Sequence, residues 1–278
     1  VRVAQGLAFL EESGVVVVDH ILSFPNRRTP PMRIIKYLID ADGGDVIAIV
    51  DSKNILGMRT GAAGALGAKF LSKKNSHTAG IIGAGGQGRL QLQFLCQVRP
   101  IDKAYAYDDV PQQTERLCEE MTYELGITVQ PLRNVEQVAQ ESDILVTTTP
   151  ATSPIVMEKH LPSGIHVNIV GADDPPKIEL EGAALRKADK LVIAAEDCFM
   201  AGQMRIPIIQ NILKEKDVYG TIGEIIAGIK PGRESDEEIT IFHSPGVTLQ
   251  DAAIAHKVYQ KAKDHDLGIF VPDPFLFN

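Results

Sequence analysis

An α/β fold with a doubly wound parallel sheet, joined to a second, smaller α+β domain, is what the sequence predicts. Three observations carry this. From Thr78 onward, short apolar segments alternate with helical stretches at the spacing of βαβ units. A glycine-rich turn, Gly83-x-Gly85-x-x-Gly88, separates the first such segment from the first helix. The residues before Thr78 lack that alternation, and residues 248–264 read as a long amphipathic helix. The smaller domain is therefore expected from both chain ends, 1–76 plus 250–278, around a nucleotide-binding domain over 77–249.

Taken in order, residues 1–13 read as a helix with Val3, Leu7 and Leu10 on one face, and "GVVVV" as a β-branched strand. "FPNRRTPPM" (24–32) reads as a loop. "RIIKYLIDADGGDVIAIVD" reads as a hairpin turning at "DADGGD". Residues 59–74 form a helix rich in Gly and Ala, so another element must pack closely against it. In the second region "TAGIIG", "KAYAYDD", "ITVQPL", "DILVTTTP", "GIHVNIVGAD" and "KLVIAAE" are the six expected strands, with helices between them.

Composition narrows the function classes. The chain has 278 residues and a net charge of −8, with no Lys/Arg cluster, which speaks against nucleic-acid binding. No apolar run approaches the roughly 18 residues of a membrane span, and no signal peptide is visible. Cys96, Cys118 and Cys198 are widely spaced, and the seven His show no HExxH pattern. A cytoplasmic protein without a metal site is expected.

The glycine turn has the context of a dinucleotide site: a strand before it, a helix after it, and an acid, Asp108, at the end of the second strand. Gly83 allows the tight turn, Gly85 admits a pyrophosphate, and Gly88 lets helix and strand pack closely. The helix N-terminus favours the phosphates. Arg89 could add a phosphate contact or simply be a solvated helix residue. Asp108 suits ribose hydroxyls, and Asp109 beside it would repel a 2′-phosphate, which favours NAD over NADP. In an open parallel sheet the ligand lies beyond the carboxyl ends of the strands. The fourth strand ends in Thr147-Thr148-Thr149-Pro150 and the fifth in Gly171-Ala172-Asp173, so these ends should flank the nicotinamide, with Pro150 and Gly171 keeping side chains clear of a flat ring. A carboxylate there can donate or accept a substrate proton. Asp173 is the candidate, and Asp174, directly before Pro175, reads as a turn residue. Arg59 could fork onto a substrate carboxylate.

Four stretches, "RTGAAGALGAK" (59–69), "GIIGAGGQGRLQ" (80–91), "VGADDPPKIEL" (170–180) and residues 223–262, together resemble the ornithine cyclodeaminase/mu-crystallin family. The resemblance implies a Rossmann domain plus a smaller domain that dimerises and binds substrate. It implies NAD-dependent hydride chemistry at the α-carbon of a small amino or imino acid, as in ornithine cyclodeaminase, alanine dehydrogenase and cyclic ketimine reductases. By this likeness Arg59 holds the substrate carboxylate and Asp173 is the catalytic acid. Thr60, Gly83, Gly85, Gly86, Gln87, Gly88, Asp108, Thr148, Thr149, Val170 and Gly171 would bind the cofactor. There are departures. Asp19 or His20 stands where the family has a substrate-binding Lys, with Arg27, Arg28 and Arg33 as possible substitutes. Gln203 replaces a common Glu, and Pro176 a common Gly. The alternative reading is a non-catalytic nucleotide- or ligand-binding protein like mu-crystallin.

Overall fold

The structure, a computed structural model, describes residues 2–24 and 32–271. In chain order its strands and α-helices are β1 (Arg2–Leu10), β2 (Val15–Ser23), β3 (Met32–Asp40), β4 (Val46–Asp51), α1 (Lys53–Leu71), β5 (Thr78–Ile82), α2 (Gly86–Leu95), β6 (Lys103–Tyr107), α3 (Pro111–Leu125), β7 (Thr128–Pro131), α4 (Val135–Gln140), β8 (Ile144–Thr147), β9 (His166–Ile169), α5 (Gly182–Lys187), β10 (Lys190–Ile193), α6 (Gly202–Ile209), β11 (Gly220–Thr221), α7 (Ile222–Ile226), β12 (Thr240–His243) and α8 (Thr248–Asp264). The chain divides into two units, 1–56 with 248–278, and 57–247. The division falls inside α1, not at residue 76, because the helix from Gly57 onward packs with the second unit: an added Cβ at Gly61 would meet the Phe94 ring, and one at Gly67 the Phe242 ring.

The first unit is a four-stranded antiparallel sheet in the order β1-β2-β3-β4. One face packs on α8, with Val15, Val17 and Leu38 against Ala252 and Ala255. Residues 2–10 thus form a strand, not the expected helix. Val3 and Leu7 share a face in a strand as well as in a helix, and unbroken pairing with β2, from Arg2 opposite Ser23 to Leu10 opposite Val15, decides for the strand. A short 3-10 turn over Glu11–Ser13 and Gly14, with φ +61°, reverses the chain. The 24–32 loop lies mostly outside the described residues, as do Arg27 and Arg28.

The second unit is an eight-stranded, wholly parallel sheet, β11-β10-β12-β9-β8-β5-β6-β7. Its central strands are buried at every position, as strands covered on both faces must be. The strand order reverses between β5 and β8, which creates a crevice at their carboxyl ends. Two strands exceed the six expected. β12 inserts between β9 and β10, so the expected fifth and sixth strands are not neighbours, and the two-residue β11 adds an edge.

Candidate active site

The glycine turn follows β5 and opens α2. Gly83 has φ +100°, and an added Cβ there would lie 2.8 Å from Thr148 Oγ1. Gly88 abuts the Gly83 carbonyl, leaving no room for a Cβ. Gly85 and Gly86 differ: φ is not positive at either, and an added Cβ would meet no protein atom within 4 Å. Protein packing does not require glycine there, whereas a closely approaching ligand does. Gly85 caps α2 with no side-chain acceptor for the first-turn N–H groups, and Gln87 Oε1 is buried without a partner. A helix N-terminus with open donors, bordered by glycines that leave space, fits a dinucleotide pyrophosphate.

Asp108 stands at the end of β6. Its Oδ2 accepts from Ala84 N at 2.8 Å and its Oδ1 from Val110 N at 2.9 Å. The acid expected to meet a ribose therefore also fixes the glycine turn, and each oxygen keeps acceptor capacity. Asp109 accepts from the Tyr107 hydroxyl, and this bond pushes the Tyr107 pKa up. Arg89 is held by protein acceptors. Its Nε pairs with Glu120 at 2.5 Å, and its Nη1 donates to the carbonyls of Ala84 and Gly85, so the guanidinium is engaged by the protein.

The ends of β8 and β9 are tied by a residue that the sequence reading did not single out. Glu179 is fully buried. Its Oε1 accepts from Thr149 N at 2.6 Å and Thr149 Oγ1 at 2.8 Å, and its Oε2 from Gly171 N at 2.8 Å. Burial pushes its pKa up against the donors that lower it. Gly171 is pressed against the Thr149 backbone, where an added Cβ would lie 2.2 Å from the carbonyl oxygen. Val170 is buried and bonds Thr147 O through its N–H. Thr148 Oγ1 donates to Gly83 O at 2.9 Å, which joins the β8 end to the glycine turn. The residues around Glu179 gave no local signal for its role, because its partners lie 8 and 30 residues away.

Beyond Gly171, Asp173 is half exposed and pairs with Lys177 one helical-turn distance on. Asp174 is exposed, and its carbonyl accepts from Lys177 N at 2.7 Å, closing the turn that holds the Pro175–Pro176 bond, which is cis. Gln203 does not face solvent or a ligand space. It is buried, its Oε1 accepts from the N–H groups of Glu179 and Leu180, and its Nε2 donates to Leu180 O. Its role is to hold the backbone at Glu179.

On α1, Arg59 donates to Thr60 Oγ1 at 2.9 Å and lies directly over Gly246, where an added Cβ would fall 2.5 Å from Nη1. Thr60 is buried, and its carbonyl accepts from Gln91 Nε2 on α2 at 2.9 Å. In the first unit, Asp19 and His20, either of which falls where the likeness expects a Lys, lie on β2. Lys36, directly opposite Asp19 in the β2–β3 ladder, is fully buried with its Nζ 2.5 Å from Asp19 Oδ2 and 3.3 Å from Asp251 Oδ1. Arg33, the remaining candidate substitute, is exposed and 4.0 Å from Asp51. Among the described residues no cluster of His, Cys, Asp and Glu could hold a metal ion, and no helix is long and apolar enough to cross a membrane.

A parallel sheet with a glycine-rich, open helix N-terminus at its switch point and an acid on the adjoining strand defines a dinucleotide-binding protein. The sequence profile of the ornithine cyclodeaminase/mu-crystallin family matches residues 9–266, and the chain belongs to that family. It is 38% identical over 247 residues to an alanine dehydrogenase of Archaeoglobus fulgidus, covering 88% of this chain and 75% of that protein. It is 31% identical over 268 residues to a Δ1-pyrroline-2-carboxylate reductase of Bacillus cereus, covering 96% and 81%. Among solved structures it superposes on the Thermococcus litoralis Δ1-pyrroline-2-carboxylate reductase in complex with NADH and L-proline, with a TM-score of 0.88 and 32% identity, covering 97% of this chain and 90% of that one. It superposes equally on an archaeal alanine dehydrogenase dimer with bound NAD, with a TM-score of 0.89 and 33% identity, covering 98% and 88%.

Proposed function

We propose that this protein is an NAD-dependent oxidoreductase that moves hydride between nicotinamide and the α-carbon of a small amino or imino acid. The observation that carries the reading is the joining of the β8 and β9 ends at Glu179, directly before a half-exposed carboxylate, Asp173, at the crevice where the strand order reverses. Bound there, the nicotinamide supplies the hydride. Gly83, Gly85, Gly86 and Gly88 leave room for the pyrophosphate, the first turn of α2 faces it, and Asp108 accepts from a ribose hydroxyl. Thr148, Thr149 and Gly171 border the ring. Arg59 holds the substrate carboxylate in a bidentate fork, and Thr60 steadies the guanidinium through their hydrogen bond. Asp173 carries the proton to or from the substrate nitrogen. Protonation makes a C=N carbon a better hydride acceptor, so an acid at that position raises the rate.

The homodimer expected from the sequence has a physical basis in the first unit. The sheet face turned away from α8 carries Val3, Leu7, Phe9 and Ile49, all more than half exposed, beside Val16, Val18, Tyr37 and Ile39 on paired strands. A second copy of this chain would cover so apolar a sheet face. The solved archaeal alanine dehydrogenase dimer supports that choice of partner.

The test is an absorbance assay of the purified protein with NADH against Δ1-pyrroline-2-carboxylate and against pyruvate with ammonia, and with NAD against L-alanine, L-proline and L-ornithine. Net change at the dihydronicotinamide band is the expected result. Proline and ammonia formed from ornithine without net change would point to cyclodeamination. NADH binding with silence on every substrate would support the non-catalytic alternative.

A further inference from the structure

We propose that Glu179 is an electrostatic partner of the nicotinamide: its buried carboxylate stabilises the cationic, oxidised ring over the neutral, reduced one. This rests on the reading that the ring lies at the ends of β8 and β9. The Glu179 carboxylate accepts from Thr149 N, Thr149 Oγ1 and Gly171 N, neutral donors that belong to those two ends. Among the described ion pairs no Lys or Arg reaches Glu179, although the side chain is fully buried. Two separate backbone N–H groups point at two separate oxygens, an arrangement that only a carboxylate satisfies, because a glutamine would turn an amide N–H toward one of them. The charge is thus held by neutral donors, away from water and, among the described residues, without a counter-cation, immediately behind the backbone of Thr149 and Gly171.

Such a charge acts on whatever charge changes nearby. The nicotinamide loses one positive charge on reduction, so the affinities for NAD and NADH respond to Glu179 unequally. A clamp with a purely structural role affects both nucleotides alike, because the loss of crevice shape is common to them. The ratio of the two dissociation constants therefore isolates the electrostatic contribution.

The experiment is titration calorimetry of NAD and of NADH against the wild-type protein and Glu179→Gln, Glu179→Ala, Glu179→Asp and Asp108→Ala, with thermal unfolding as the check on folding. Glu179→Gln and Glu179→Ala should shift the ratio against NAD by about fivefold or more. Glu179→Asp should keep the wild-type ratio even where both affinities fall. If Glu179→Gln does not fold, the alanine and aspartate variants make the same comparison. An unchanged ratio in every Glu179 variant, or an equal shift in Glu179→Asp, overturns the proposal. Asp108→Ala should weaken both nucleotides by a similar factor. If it weakens neither, the placement of the cofactor itself is wrong, which is a separate failure.

Discussion

Asp173 and Asp174 are the same residue type side by side, yet the backbone gives them different work. Asp174 contributes its carbonyl to a turn, and Asp173 projects a carboxylate beside Lys177. The sequence separates the two only through a motif likeness and the position of Pro175. Asp108 and the glycine turn were legible because their spacing is local: Gly83 and Gly88 answer to the backbone, and Asp108 accepts from the turn's Ala84 N–H. Arg89 was not, since the glycine turn says nothing about Glu120, which lies on α3 and takes the guanidinium. Glu179 and Lys36 were missed for the same reason: their partners come from elements distant in sequence. For Arg59 the prediction is sharp. Arg59→Lys keeps the charge but loses the planar fork, so kcat/KM for a carboxylate-bearing substrate should fall about tenfold or more while NADH affinity stays within twofold. Steady-state kinetics beside NADH titration checks this.

At the scale of elements, α1 shows how a sequence feature becomes a packing constraint. Its run of small residues announced a close neighbour without naming it. The neighbours are Phe94 and Gln91 of α2 and Phe242 of β12. Gly67→Ala places a methyl 2.2 Å from Phe242, a buried ring with little freedom to move. Alanine favours a helix by about 1 kcal/mol, but overpacking a dense core costs about 1–3 kcal/mol. The variant should therefore be destabilised, with a lower urea midpoint. β1 illustrates the opposite limit. Apolar residues four apart suit both periods, and only the long-range ladder to β2 resolves the choice. β12 escaped notice because four residues, "TIFH", follow a charged stretch and pair between strands distant in sequence.

At the scale of the whole molecule, charge and burial set the response to acid. His166 and His243 are fully buried, and burial drives their pKa values down to about 3 and about 4. The unfolded chain, with His near 6.5, binds more protons than the folded one below that pH, so stability falls as pH falls. Between pH 7 and pH 5 the loss should be about 2 kcal/mol for each His. Asp143, held below its ordinary value chiefly by Lys73 and the N–H groups of His77 and Thr78 against its burial, keeps its contribution through this window and loses it at lower pH. Glu179, with a raised pKa, acts in the opposite direction. A urea midpoint no lower at pH 5 than at pH 7 would contradict this. Association is tested at the same scale: Leu7→Glu puts a charge on the exposed apolar sheet face, and size-exclusion chromatography with light scattering should show a monomer where the parent chain shows a dimer.

The central claim is that Asp173 moves the proton that accompanies hydride transfer. The direct test compares the wild-type protein with Asp173→Asn and Asp174→Asn on whichever substrate turns over, with NADH binding measured on each. Asp173→Asn should lower kcat by at least about a hundredfold and leave the NADH dissociation constant within twofold, while Asp174→Asn retains most of its activity. Loss of turnover in Asp174→Asn with an active Asp173→Asn would contradict the account.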